Sequence, residues 1–292
     1  MNLGFSTLSC PDWSVDQVLA AAVEMGYAGI EWRRLNGNVI DPRADADILR
    51  NAVTRGRERG IATCCLDTSC HFNLADRSAR DRQVLELQHW ITLAHQLDVP
   101  LLRVFGGANP KGADPGASDE VVNGWVAGAL QAAAPAAEAA GVTVALETHD
   151  AFSSARRTAK VLQQVASERV GAVWDSHHPY RVGESPDEVL AALGSYLVHV
   201  HVKDARRLAP GSADWQLVLM GEGEVPVRQQ LRALQRRGYD GWVVVEWEKK
   251  WHPEIESPEV ALPQHMQWLQ SVLKEDRPRG TTQGGTRNAA IS

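Results

Sequence analysis

Short runs of β-branched and apolar residues alternate along the whole chain with longer stretches whose apolar positions recur at helical spacing. The strand candidates are Leu3 to Thr7, Gly29 to Arg34, Ala62 to Thr68, Leu101 to Gly107, Val142 to Thr148, Val170 to Ser176, Leu197 to Asp204 and Gly241 to Trp247. Most follow a Gly or Pro that closes the preceding element. Between them, Ser14 precedes the stripe Val15, Val18, Leu19, Ala22 and Val23, the pattern of an N-cap followed by an amphipathic helix. Ser78, Ser118, Ser185 and Ser257 open later helices in the same way, with Pro186 and Pro258 at the first helical position. Gly26, Gly60, Gly141 and Gly238 stand where helix C-caps belong. Pro135 is expected to kink or split the fourth helix.

Eight β-then-α units of roughly 30 residues, without a break in composition, predict one closed (β/α)8 barrel. The barrel is expected to span residues 1–275 as a single TIM-barrel domain, catalytic if its strand ends carry the chemistry of such barrels. A doubly wound open sheet shares the alternation but carries a Gly-rich phosphate-binding turn after its first strand, and Phe5-Ser6-Thr7-Leu8-Ser9 is not one. Residues 276–292 are rich in Gly, Thr, Arg and Asn and are expected to form a disordered tail.

A hydrophobic share of 44% and a charged share of 23% suit a soluble globular protein. The formal net charge of −6 argues against a nucleic-acid partner. No run of about 18 apolar residues suggests a membrane partner; the nearest, Val126 to Val144, is interrupted by Gln131, Pro135 and Glu138. The N-terminus lacks a secretory pattern, and Cys10, Cys64, Cys65 and Cys70 show no CxxC spacing, so a cytoplasmic protein with reduced thiols is expected.

Active sites of such barrels form at the C-terminal ends of the strands. Strand five closes on Glu147, strand six on Asp175, strand seven on His201 and strand eight on Glu246, at separations of 28, 26 and 45 residues. Each alone reads as a solvated or salt-bridged strand end. Together, three carboxylates and an imidazole at matched positions would repel strongly without a cation. Oxygen-rich ligation with one His points to one divalent metal ion, Mn2+ first, with Mg2+, Co2+ and Zn2+ also compatible.

These strand ends resemble the xylose isomerase-like TIM-barrel superfamily, in its sugar phosphate isomerase/epimerase branch of ketose 3-epimerases, hydroxypyruvate isomerase and inosose dehydratase. The resemblance runs from Met1 to about Glu275. It is carried by Leu146-Glu147-Thr148-His149-Asp150, Trp174-Asp175-Ser176-His177-His178-Pro179, His199-Val200-His201-Val202-Lys203-Asp204, Gly221-Glu222-Gly223-Glu224 and Val245-Glu246-Trp247-Glu248-Lys249. It implies Glu147, Asp175, His201 and Glu246 as metal ligands, Glu147 and Glu246 as catalytic acid/base residues, and His178 beside the substrate. The implied activity is that of a sugar or polyol isomerase or epimerase working by proton transfer through an enediolate. A dehydratase of the inosose or dehydroshikimate type could use the same metal site. The implied partner is a small sugar or polyol. Phosphorylated substrates remain open, as does a homo-oligomer.

Further substrate-binding candidates are Lys203, His71, Glu31 and Arg33 at neighbouring strand ends. His199, one layer deeper than His201, reads as a hydrogen-bonded core residue, and Glu248 is the rival for the eighth-strand ligand. Arg206, Arg207, Lys249 and Lys250 read as a solvated charge run. Trp13, Trp32 and Trp215 could stack on a sugar ring, whereas Trp174, Trp242 and Trp247 are expected to pack between strands and helices. Two other classes compete. A repair nuclease of the endonuclease IV type shares the barrel but needs further His and Asp ligands. This chain offers Val104-Phe105-Gly106-Gly107 and Asp214-Trp215-Gln216 where that family has histidines. A non-catalytic binding protein would be expected to lose a strand-end ligand, and all four are present.

Overall fold

A computed structural model describes residues 1–108, 114 and 116–275. Residues 276–292, expected to form the tail, lie outside the described residues. The strands β1 (Asn2–Ser6), β2 (Gly29–Trp32), β3 (Ala62–His71), β4 (Leu101–Phe105), β5 (Thr143–Glu147), β6 (Val170–Asp175), β7 (Leu197–Val202) and β8 (Trp242–Val245) pair in parallel in chain order. β1 also pairs with β8, Asn2 opposite Trp242 and Phe5 opposite Val245, so the sheet closes on itself. The seven connections carry α1 (Val15–Met25), α2 (Ala46–Glu58), α3 (Arg77–Leu97), α4 (Asp119–Ala140), α5 (Ala155–Leu162), α6 (Pro186–Leu193) and α7 (Val227–Arg236), and α8 (Pro258–Glu275) follows β8. Closure leaves both faces of every strand covered, which is why the strands read as nearly continuous apolar runs.

Caps explain most helix boundaries. Ser14 with Gln17 and Ser185 with Glu188 form reciprocal capping boxes, and Ser118 accepts from the Val121 amide. The start of α3 differs from expectation. Asp76 is its cap, accepting from both the amide and the hydroxyl of Ser78, because a carboxylate is the stronger acceptor. Gly26 and Gly141 are left-handed C-caps as expected, whereas Gly60 and Gly238 each lie one residue beyond the caps Arg59 and Arg237. Pro135 does not split α4, which runs unbroken from Asp119 to Ala140. The alanines around it, residues 132–134 and 136–137, add no bulk next to the ring.

Two short antiparallel ribbons extend the barrel rim. Arg34–Leu35 pairs with Asn38–Val39 through a turn in which Asn36 and Gly37 both have positive φ, 48° and 82°. Asp204–Arg207 pairs with Trp215–Val218, so the run expected as one strand to Asp204 ends at Val202 and then enters this ribbon. All four cysteines are buried free thiols, and no helix among the described residues is long and apolar enough to cross a membrane.

Inside the barrel the side chains lie in layers. Cys65, Leu101, Ala145 and Val173, from β3 to β6, form a small apolar cluster separate from the main core. Two residues further along the same strands come Asp67, Arg103, Glu147 and Asp175, all buried. The interior thus changes from hydrocarbon to charge within one strand period, and the site is built on that second layer.

Candidate metal centre and active site

Glu147, Asp175, His201 and Glu246 converge, each offering a ligand atom within 4.8 Å of the others. Strand register begins the convergence: Asp175 is the direct β6 partner of His201 on β7, and His201 pairs with Val244 of β8. Buried hydrogen bonds then aim the side chains. Thr148 Oγ accepts from the Asp175 amide at 2.9 Å, and Asp175 Oδ1 accepts from the amides of His177 and His178 at 2.8 and 3.0 Å. That leaves Asp175 Oδ2 facing Lys203 Nζ at 3.1 Å. Ser176 Oγ donates to the Lys203 carbonyl and accepts from its amide, locking the end of β6 to the end of β7.

His201 Nδ1 lies 2.9 Å from Glu147 Oε1 and 3.7 Å from Glu246 Oε1. Its Nε2 lies 2.9 Å from Glu31 Oε2, which also faces His199 Nε2 at 3.0 Å. Both nitrogens of the His201 ring therefore meet carboxylate oxygens. Although burial disfavours the charge, Glu31, Glu147 and Glu246 hold its pKa well above the ordinary histidine value. Burial also opposes ionisation of Glu147, but His201 and Arg103 more than offset it and hold that carboxyl low. Burial, reinforced by the charges of Glu147 and Glu248, raises Glu246.

The donor set suits a divalent cation. Three buried carboxylates and one imidazole face a common point, and in the chain itself the positive charge there comes from the His201 ring, Lys203 and Arg103. With a proton fixed on Nε2 by Glu31, the Nδ1 lone pair becomes the ligand atom. Glu248 lies outside this group, paired with Lys203.

The other sequence candidates scatter. Lys203 touches Asp175, Glu246 and Glu248. His178 is buried with neither ring nitrogen hydrogen-bonded, Nε2 lying 4.0 Å from Asp175 Oδ1, and burial, His149 and Lys203 keep its pKa well below the ordinary value. Glu31 was expected among substrate-facing residues, but it is fully buried and lies behind His201. Arg33 donates to Ser69 Oγ at 2.9 Å and to the Asp67 carbonyl at 3.3 Å. His71 turns Nδ1 toward its neighbour Ser69 O at 3.1 Å and takes part in none of the carboxylate pairs around the centre. Trp215 packs edge-on to His177 at 4.9 Å with Arg207 over its ring. Trp32 is unavailable for stacking, being buried with its indole donating to Thr63.

The strand-end pattern passes over Arg103 and Asp67. Arg103 bridges Asp67 Oδ2 at 3.0 Å and Glu147 Oε2 at 3.2 Å, both pairs fully buried. The available signal is a lone charge inside an apolar run, Leu-Leu-Arg103-Val-Phe and Cys-Cys-Leu-Asp67. His149 is also drawn in, its ring 4.3 Å from His178 and 4.8 Å from Phe105.

The model of the xylose isomerase-like TIM barrel matches residues 19–272. The chain belongs to that family. Within it, the chain is 28% identical over 286 residues to fructoselysine 3-epimerase from Shigella flexneri, covering 94% of this chain and 99% of the relative. Other similarities are local: 33% over 100 residues to the rhizopine catabolism protein MocC of Rhizobium meliloti, covering 30% of this chain and 31% of MocC. Inosose dehydratase from Lacticaseibacillus casei matches at 24% over 102 residues, 31% of this chain and 34% of the relative. The chain thus spans about a third of the length of these two relatives. Among solved structures, IolI protein with a bound zinc atom superposes with a TM-score of 0.79 at 19% identity, covering 94% of this chain and 99% of that one. D-psicose 3-epimerase with D-tagatose from Clostridium cellulolyticum H10 gives 0.74 at 17% identity, with the same coverages of 94% and 99%. At these identities the structural likeness shows the barrel alone. The family contains both epimerases and dehydratases.

Proposed function

We propose that the chain is a divalent-metal-dependent isomerase or epimerase of a small sugar or polyol, with residues 1–275 as its catalytic unit. The observation that carries this reading is the approach of Glu147 and Glu246, from the non-adjacent strand ends of β5 and β8, to one nitrogen, His201 Nδ1, at 2.9 and 3.7 Å. The ligands are Glu147, Asp175, His201 and Glu246, and Mn2+ suits the oxygen-rich set. IolI protein, a structural neighbour with the same barrel, holds a bound zinc atom, which supports a divalent ion on this fold. When bound, the ion supplies polarisation of a carbonyl and its neighbouring hydroxyl, easing loss of the proton on carbon.

Glu147 removes that proton as general base and Glu246 returns one from the other side, so the substrate passes through an enediolate. Two carriers on opposite faces give epimerisation, and one carrier serving adjacent carbons gives isomerisation. The neutral ring of His178, with neither nitrogen hydrogen-bonded, offers one donor and one acceptor to substrate hydroxyls. The near full-length similarity to fructoselysine 3-epimerase supports this chemistry. The local similarity to inosose dehydratase supports a second reading, in which departure of a β-hydroxyl follows the same proton removal.

The test is solvent deuterium exchange into ketoses, ketose phosphates and inososes, with chelator-stripped protein before and after Mn2+ is restored. Exchange should require metal and disappear in Glu147→Gln and Glu246→Gln. Loss of water from the product would select the dehydratase. Failure to retain any metal, with no exchange across the panel, overturns the reading.

A further inference from the structure

Lys203 enters the cluster one residue past the end of β7, with 1% of its side chain exposed. Its Nζ is 2.6 Å from Glu246 Oε2 and 3.1 Å from Asp175 Oδ2, oxygens of two residues in the converging group of four. The third carboxylate it touches is Glu248, which is outside that group and 18% exposed. The ammonium therefore stands where it neutralises the metal-binding carboxylates, with a spare partner on the solvent side. An ammonium and a dication sharing the same carboxylates repel strongly at such separations.

We propose that Lys203 is a built-in competitor for the metal, and that Glu248 is the partner that keeps it when the metal is bound. The pair then sets how tightly the ion is held. Lys203 neutralises Asp175 and Glu246 in the metal-free chain, so the barrel keeps its buried carboxylates compensated while the ion exchanges. Glu248 lowers the cost of giving up those two contacts, because the ammonium keeps a charged acceptor it already touches. The inference rests on the metal-site reading above.

Calorimetric titration of the chelator-stripped full chain with Mn2+ tests it, through affinity and without reference to turnover. Lys203→Met should bind Mn2+ roughly tenfold more tightly or better, since a repelling charge is gone. Glu248→Gln should bind more weakly, because Lys203 then has only Asp175 and Glu246 to hold. In the double variant the Glu248→Gln loss should largely vanish, a non-additivity that two independent charges would not give. Metal binding by the native chain with no tightening in Lys203→Met, or with additive effects, overturns the competition and leaves the metal site standing. No Mn2+ binding by the native chain overturns the metal-site reading and this inference with it. If Lys203→Met fails to fold, Glu248→Gln decides alone: weaker binding supports the competition, and unchanged affinity overturns it.

Discussion

Arg103 and Glu147 meet on adjacent strands, Nε to Oε2 at 3.2 Å, while the other oxygen of Glu147 faces His201. The same guanidinium holds Asp67 at 3.0 Å, so one cation organises two buried carboxylates. Removing one partner of a buried pair leaves the other charge uncompensated. Arg103→Met should therefore lower stability by about 3–5 kcal/mol, measured by urea denaturation. Arg103→Lys should recover only part of that, because a point charge cannot fork between Asp67 and Glu147 as a guanidinium does. A full recovery by lysine would show that the fork is immaterial.

Under the metal-site reading, Glu31 would act on a bound ion through His201. Its carboxylate, 2.9 Å from Nε2, fixes the tautomer that presents Nδ1 to the cluster. Glu31→Gln should weaken divalent-metal affinity by roughly 10- to 100-fold, the usual effect of losing such an outer partner. Calorimetric titration reads this directly, and an unchanged dissociation constant would remove Glu31 from the site.

His265 on α8 supplies a pH dependence away from the centre. Its ring packs edge-on to Trp247 at 5.0 Å, and burial pushes its pKa down to about 3. In the unfolded chain it protonates near pH 6.5. Between these values the unfolded state binds a proton that the native state refuses, so stability is lost as pH falls through that window. The residue should account for about 2 kcal/mol of loss between pH 7 and pH 5. His177 and His178 are lowered by burial as well and act in the same direction. The measurement is therefore a difference: His265→Leu should gain on the native chain by about that amount between the two pH values. A constant gap would contradict the assignment.

The loop after the second ribbon is gathered around one carboxylate. Asp204 accepts from the amides of Ala205, Gly221, Gly223 and Val225 at 2.8, 2.9, 3.0 and 3.2 Å. A Cβ on Gly223 would come within 2.1 Å of Asp204 Oδ1 and 2.6 Å of the Ala205 carbonyl. Gly223→Ala should therefore cost about 1–3 kcal/mol of stability, read by thermal denaturation. A neutral result would mean that the loop can open without penalty.

Much of this was legible in one dimension. The eight strands fall at the expected apolar runs to within a few residues, because closure of the barrel demands apolar positions on both strand faces. The converging residues stood out because each ends such a run, one on each of four successive strands. Arg103 and Asp67 were not legible as a pair, since β3 and β4 bring them together from 36 residues apart and only the register shows it. Trp32 misled for the opposite reason: its place at a strand end suggested the rim, whereas strand alternation turns its indole to Thr63. Ser78 was mistaken for a cap because a neighbouring carboxylate was the better acceptor.

The step from hydrocarbon to charge inside the barrel also restricts how this protein can change over generations. Asp67 and Arg103 lie in the same layer as Glu147 and Asp175, and Glu31 lies behind His201 with His199 wedged against it. A duplicate gene freed from any demand for catalysis would not be free to drift there. Loss of Arg103 would strand Asp67, and loss of Glu31 would strand His199. Neutral change at this level requires two or more coordinated substitutions. Folding itself thus resists single substitutions among these buried charges, independently of any chemistry at the rim.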